Sequence, residues 1–207
     1  MNKTRIETAK SFSQLLWRTG TIKFGAFTLA NGSLTPYYID LKVIPSFPSA
    51  FREVIRIYIN EAENVGTSNY EAIAGMPPTG LIFASVVAYE LGKPAIYPRK
   101  EAVEWRGKRI TGVIKPGERV LIIDDIITTG KSILETAEIV RAEGGVVEDA
   151  IVLLDREEDG VTSLSLNGIK LHAFTKVRDV AEALYELQEI SEEQRDAILK
   201  QVRRQTQ

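Results

Sequence analysis

Between Ala50 and Ala62 the apolar residues Phe51, Val54, Ile55, Tyr58 and Ile59 follow one another at intervals of 3, 1, 3 and 1. That spacing puts them on one face of an amphipathic helix. Residues 1–17 predict an earlier helix, with Ile6, Phe12, Leu15, Leu16 and Trp17 available for one face and Gly20 as its stop. Ile22 to Leu29 reads as a strand interrupted at Gly25. Asn31-Gly32 is a turn signal, and the aromatic, β-branched run Pro36 to Leu41 reads as a second strand. The two strands are expected to pair as a small antiparallel unit. Pro45 and Pro48 then break the chain.

From residue 71 the pattern becomes an alternation of short apolar runs and helical segments. Ala72 to Ala74, Pro94 to Tyr97, Val120 to Ile123 and Ala150 to Leu154 read as strands, with Ile169 to Phe174 as a further one. Leu81 to Leu91 and Ile133 to Glu143 read as helices, closed by Gly92 and by Gly144-Gly145. Gly75 to Gly80 reads as a loop. The runs at 120 and 150 are apolar without alternation, as in strands buried on both faces. Strand–helix alternation of this length implies βαβ crossovers, hence an α/β fold with a parallel sheet flanked by helices. Residues 99–118 are charged and show no helix or strand period, and so predict a long loop of the kind that is often functional. Residues 178–204 predict one or two terminal helices, with Ser191-Glu192-Glu193-Gln194 as a capping box.

Composition narrows the chemistry. The chain has 207 residues, no Cys and one His. Disulfides, thiolate metal sites, a Cys nucleophile and any site with two imidazoles are excluded. The single His172 reads as structural. Twenty-six basic and 28 acidic residues leave a net charge of -2, which offers no argument for a nucleic-acid partner, and none is expected. The N-terminus lacks an apolar signal region, and the longest mainly apolar stretch, Leu81 to Ala88, falls far short of the ~20 residues that span a bilayer. No membrane partner and a cytoplasmic location are expected.

The segment Val120-Leu-Ile-Ile-Asp124-Asp125-Ile126-Ile127-Thr128-Thr129-Gly130-Lys131-Ser132 carries the chemistry. A buried strand ends in two carboxylates, a hydroxyl-rich loop follows, and a helix begins at Ser132. Ligands of open α/β sheets bind at the carboxyl ends of strands, and a helix N-terminus suits phosphate. Asp124 and Asp125 would repel phosphate, but they accept hydrogen bonds from a vicinal diol. Carboxylates beside a phosphate cradle therefore fit a sugar phosphate. Ser132 with Glu135 also forms a capping box, so the same Ser has a purely local role open to it. A P-loop is excluded, because Asp125 stands where its first Gly is needed. No Gly-x-Gly occurs, so a dinucleotide fingerprint is absent as well.

This stretch resembles the 5-phosphoribosyl 1-pyrophosphate (PRPP) motif of type I phosphoribosyltransferases. The blocks Phe27–Leu41, Ala74–Gly80, Arg99-Lys100-Glu101 and Asp149–Glu157 extend the resemblance to the orotate branch, over roughly residues 20–160. The resemblance implies a type I phosphoribosyltransferase fold over 1–207: an N-terminal helix and small hood in 1–45, a core sheet in 70–175 and helices in 178–207. No decarboxylase unit is expected. It implies transfer of phosphoribosyl from PRPP to orotate in pyrimidine biosynthesis, with Mg2+ as cofactor held mainly by PRPP and no strong protein metal motif. It further implies a homodimer, with the loop after Arg99 acting across the interface.

In that reading Arg99 and Lys100 meet the pyrophosphate, Asp124 and Asp125 hold the ribose hydroxyls, and Ile126 to Ser132 wrap the 5′-phosphate. Asp125 and Lys100 are the implied catalytic residues. Thr128 and Arg156 contact orotate. A planar guanidinium also fits a carboxylate bidentately on its own chemistry, and the plain alternative for Arg156 is an ion pair with Asp155 or Glu158. Departures from the family are Val103 where its loop carries a Lys, Trp105 where it carries a His or Tyr, and Ala30 where many members have a Lys. Arg106, Lys108 and Arg109 either supply the missing charge or form a solvated basic turn. The rivals to the orotate reading are transfer to another base and a non-catalytic PRPP-binding regulator.

Overall fold

The computed structural model describes residues 3–28, 34–99 and 109–205. In chain order the elements are α1 (Lys3–Arg18), β1 (Ile22–Thr28), β2 (Leu34–Ile39), a 3-10 turn (Leu41–Ser46), α2 (Pro48–Val65), β3 (Ala72–Gly75), α3 (Thr79–Glu90), β4 (Ala95–Pro98), β5 (Ile110–Thr111), β6 (Val120–Ile127), α4 (Lys131–Ala142), β7 (Asp149–Asp155), α5 (Gly160–Leu166), β8 (Lys170–Lys176), α6 (Val177–Glu186) and α7 (Glu192–Gln205). Six strands form one sheet in the order β5-β4-β3-β6-β7-β8. The five from β4 to β8 run parallel, and β5 pairs antiparallel with β4 at the edge. The expected α/β class and parallel sheet are what the chain forms.

Alternation along the central strands divides the core between the two faces. Leu121 and Ile123 of β6, with Ile151 and Leu153 of β7, pack with Tyr58 of α2, Phe83 of α3, Phe12 of α1 and Leu184 of α6. Val120 and Ile122, with Ala150 and Val152, pack with Ile133 and Val140 of α4 and Leu164 of α5. Period-2 side-chain alternation thus explains why both faces of these strands are apolar: each is covered by helices. On α1 the buried face is Phe12, Leu15 and Leu16, whereas Ile6 is 42% exposed and lies off it.

The hood is the antiparallel hairpin β1–β2, running from the Ile22↔Ile39 pair to Thr28↔Leu34. Its register slips between Phe24 and Phe27, with Gly25 at φ 153, so the predicted interruption is a β-bulge. The turn at Asn31-Gly32 and the position Ala30 lie outside the described residues. Helix α7 covers the hairpin: Ile198 and Val202 join Tyr37 of β2 and Val177 and Ala181 of α6 in one small cluster. The Ser191 capping box forms as the sequence predicts. Gln194 N–H donates to Ser191 Oγ at 3.2 Å, and Ser191 N–H donates to Gln194 Oε1 at 2.9 Å.

Four expectations need correction. Strand β6 does not stop at Ile123 but continues through Asp124-Asp125 to Ile127, because β7 pairs alongside it as far as Ile127↔Asp155. The 99–118 stretch contains β5, held by the Tyr97↔Thr111 and Pro98↔Ile110 pairs. Helix α3 begins at Thr79, inside the predicted 75–80 loop. Helix α5 has no counterpart in the sequence reading. His172 lies on β8 with Nε2 2.6 Å from Asp149 Oδ1, a contact between neighbouring strands that fits a structural role.

Candidate active site

The carboxyl end of β6 is fixed from several sides. The buried Tyr58 hydroxyl donates to the Asp124 carbonyl at 2.8 Å, so α2 braces the strand where its apolar run ends. Helix α3 starts against the same point. A Cβ on Gly80 would lie 2.8 Å from the Ile123 carbonyl and 2.9 Å from Asp124 Oδ1, and a Cβ on Gly75 would lie 2.3 Å from the Gly80 carbonyl. Two glycines are therefore what lets β3 and α3 close on β6. Tyr58 did not stand out in the sequence, since it reads as core, and Gly80 stood out only as the end of a loop block, not for this close approach.

Asp124 is buried and Asp125 half-buried. Asp124 Oδ2 accepts from the Ser132 hydroxyl at 2.8 Å, and Asp124 Oδ1 accepts from Asp125 N–H at 3.0 Å. Asp125 Oδ1 accepts from Ile126 N–H at 3.0 Å. Burial raises the proton affinity of the Asp124 carboxyl. Burial, then the charge of Asp124, pushes Asp125 up to about 7. The pair is thus short of positive charge and of donors.

The capping box expected at Ser132 and Glu135 is not formed. The residue preceding α4 is Gly130, in the left-handed region at φ 79, and the Ser132 hydroxyl is spent on Asp124. With no side chain capping it, the first turn of α4 presents its N–H groups to a cavity of ≈70 Å³ lined by Asp124 and residues 126–133. Such an uncapped, concave helix start favours an anion. The loop is anchored beneath by Gly160 N–H donating to the Thr128 carbonyl at 2.9 Å. The phosphate-side residues of the sequence reading, Ile126 to Ser132, are therefore gathered in one cup beside Asp124.

Arg156 follows β7 directly, and its N–H donates to the Ile127 carbonyl at 3.1 Å, so it stands next to the cup. Its side chain is buried, with Nε 3.3 Å from Glu158 Oε1 and the guanidinium carbon 5.0 Å from the centre of the Tyr37 ring. The ion pair with Glu158 is formed, yet Nε and Nη2 have no hydrogen-bond partner among the described residues. Glu157, next in sequence, adopts φ 60 and is held by Arg178 at 2.6 Å.

Arg99, at the end of β4, donates from Nε to Thr111 Oγ1 at 2.6 Å. Arg109 is turned onto α4, 3.9 Å from Glu135. Lys100, Val103, Trp105, Arg106 and Lys108 lie outside the described residues. No group of three or more His, Cys, Asp or Glu side chains gathers as a metal site among the described residues.

A carboxylate pair at the end of a central parallel strand, running into an anion cup, is an arrangement able to accept a sugar phosphate. Residues 42–166 match the phosphoribosyl transferase domain family. The chain is 40% identical to the orotate phosphoribosyltransferase of Cenarchaeum symbiosum (strain A) over 176 residues, 84% of this chain and 88% of that relative. It belongs to the phosphoribosyl transferase family, in the orotate phosphoribosyltransferase branch. Among solved structures, the orotate phosphoribosyltransferase of Aeropyrum pernix matches with TM-score 0.74 at 27% identity, over 84% of this chain and 99% of that one. The UMP synthase of Leishmania donovani matches with TM-score 0.85 at 30% identity, over 95% of this chain; the present chain spans 42% of that longer one.

Proposed function

We propose that this protein transfers the phosphoribosyl group of PRPP to orotate, giving orotidine 5′-monophosphate and pyrophosphate in pyrimidine (UMP) biosynthesis. The observation that carries the reading is adjacency. The diol-accepting carboxylates and the anion cup end β6, and a buried guanidinium with unpaired N–H groups ends β7 beside them. One end holds a ribose phosphate and the other a planar carboxylate.

In the reaction the anomeric carbon gives up its bond to a pyrophosphate oxygen and gains one to a ring nitrogen of orotate, whose proton passes to the departing pyrophosphate. Positive charge develops on the ribose as the leaving group departs. Asp124 and Asp125 hold the ribose hydroxyls and lie on the side where that charge is favourable. The N–H groups of residues 128–132 hold the 5′-phosphate, and Thr128 reaches the base from the rim of the same cup. Arg156 takes the orotate carboxylate, and Arg99 with Lys100 meets the pyrophosphate.

Mg2+ fits this donor set. Asp125, driven up to about 7, favours a nearby cation. A hard divalent ion held mainly by substrate phosphates needs no protein cage. The ion would be held mainly by PRPP, with the Asp124 and Asp125 carboxylates contributing negative charge from the protein side; when bound it would neutralise pyrophosphate charge. A homodimer belongs to the same reading, supported by α3, whose outward side carries Ile82 and Tyr89, 40% and 82% exposed. A cytoplasmic location belongs to the same reading; no helix among the described residues is long and apolar enough to cross a membrane.

The test is a panel of bases offered with PRPP and Mg2+. Orotate alone should be converted. Turnover of a purine or of uracil instead would assign another base, and saturable PRPP binding without turnover of any base would assign a regulator.

A further inference from the structure

The base end of the site contains a buried polar group that the reaction above does not use. Tyr37 is 1% exposed, and its hydroxyl has no hydrogen-bond partner among the described residues. The ring of Tyr37 lies under the Arg156 guanidinium at 5.0 Å, in cation–π range. Burial raises the proton affinity of the Tyr37 phenol, and the neighbouring Arg156 guanidinium opposes that rise. On the Nε side, Glu158 stands 3.3 Å away, out of line for a hydrogen bond. One face and one edge of the guanidinium are thus taken, and Nη2 is left without a partner among the described residues.

What puts Tyr37 there is the C-terminal helix. Ile198 and Val202 of α7 pack on the Tyr37 side of the hood. Thr35 Oγ1 lies 2.9 Å from Gln201 Oε1 and 3.0 Å from the Tyr37 carbonyl, so its single proton ties α7 to the strand that carries the ring. We infer that Tyr37 is a positioning residue for Arg156, and that α7, by holding the hood hairpin, is part of the apparatus that sets orotate affinity. The inference rests on Arg156 receiving orotate. It gives the C-terminal helix a task that neither its sequence nor the sugar-phosphate site suggests.

Steady-state kinetics of Tyr37→Leu, varying orotate and PRPP separately, tests it. Loss of a desolvated cation–π support weakens orotate binding, so the KM for orotate should rise about threefold to thirtyfold. The KM for PRPP should stay within about twofold, because Asp124, Asp125 and the cup are untouched. Tyr37→Phe keeps the ring and should bring the orotate KM back toward wild type. Gln201→Ala, which leaves the core intact, should raise the orotate KM in the same selective way and serves if Tyr37→Leu does not fold. An unchanged orotate KM in folded Tyr37→Leu, or in Gln201→Ala where the Leu variant does not fold, would overturn the inference. So would a fall in kcat alone or an equal rise in both KM values, which mark a merely structural role. If the wild-type protein binds PRPP but converts no orotate, the base assignment itself fails and this inference falls with it.

Discussion

Replacing Asp125 by Asn should make the ligand-free protein more stable at pH 8, while abolishing its use as a charged acceptor. An ordinary aspartate has a value of 3.8, and burial beside Asp124 moves Asp125 to about 7. At about 1.4 kcal/mol for each power of ten, that difference corresponds to a ceiling of about 4 kcal/mol of destabilisation. Asp125 is only half-buried, so water reduces this, and about 2 kcal/mol is expected. Asn keeps an oxygen for the Ile126 N–H, which bonds Asp125 Oδ1 at 3.0 Å, and removes the charge.

The pH dependence follows from the direction of the shift. Above pH 7 the carboxyl is ionised in both folded and unfolded chains, and its cost is complete. Between pH 7 and 4 the folded protein binds the proton that the unfolded chain still lacks, so the cost shrinks as pH falls, and near pH 4 it is almost gone. Denaturant unfolding of wild type and Asp125→Asn at pH 8, 6 and 4, without ligand, reads this directly. A gain at pH 8 that fades by pH 4 is predicted. A variant less stable than wild type at pH 8, or a difference independent of pH, would refute the reasoning.

Three further outcomes follow from the same geometry. PRPP with Mg2+ should bind the ionised form of Asp125, so its affinity should increase from pH 6 to pH 8 and binding should release protons near pH 7, both measurable by calorimetry in buffers of different ionisation heat. Arg156→Lys should raise the KM for orotate about tenfold or more while leaving that for PRPP nearly unchanged, because an ammonium cannot meet a carboxylate bidentately; steady-state kinetics checks it. Gly80→Ala should cost about 1–3 kcal/mol in denaturant unfolding and weaken PRPP binding, since the added methyl meets the Ile123 carbonyl at 2.8 Å and Asp124 Oδ1 at 2.9 Å.

The parts of this protein that hydrophobic spacing controls were legible in the sequence. Helix α2 announces itself through Phe51, Val54, Ile55 and Tyr58, and the hood hairpin through its β-branched and aromatic runs around a Gly25 bulge. The capping box at Ser191 was readable because its hydrogen bonds are local. The similar pattern at Ser132 misled, because a buried carboxylate eight residues earlier is the better partner for that hydroxyl. Strand β6 runs past its apolar residues because β7 supplies pairing partners, which no local pattern records. Helix α5 is made of Gly160-Val-Thr-Ser-Leu-Ser-Leu, mostly weak helix formers held in place by packing of Leu164 under the cup. The PRPP segment was visible as chemistry, two carboxylates and a hydroxyl-rich turn. What supports it was not: Tyr58, Gly75, Gly80 and Tyr37 act through contacts more than 40 residues apart in sequence or through space that only glycine leaves.

In the proposed reaction one site joins a ribose phosphate to orotate. Mixing the protein with PRPP, Mg2+ and orotate, and following orotate absorbance together with released pyrophosphate, measures both halves of that transfer at once. Orotate should disappear only when PRPP is present, matched one for one by pyrophosphate. Pyrophosphate release without orotate consumption, or neither, at saturating PRPP would rule the transfer out.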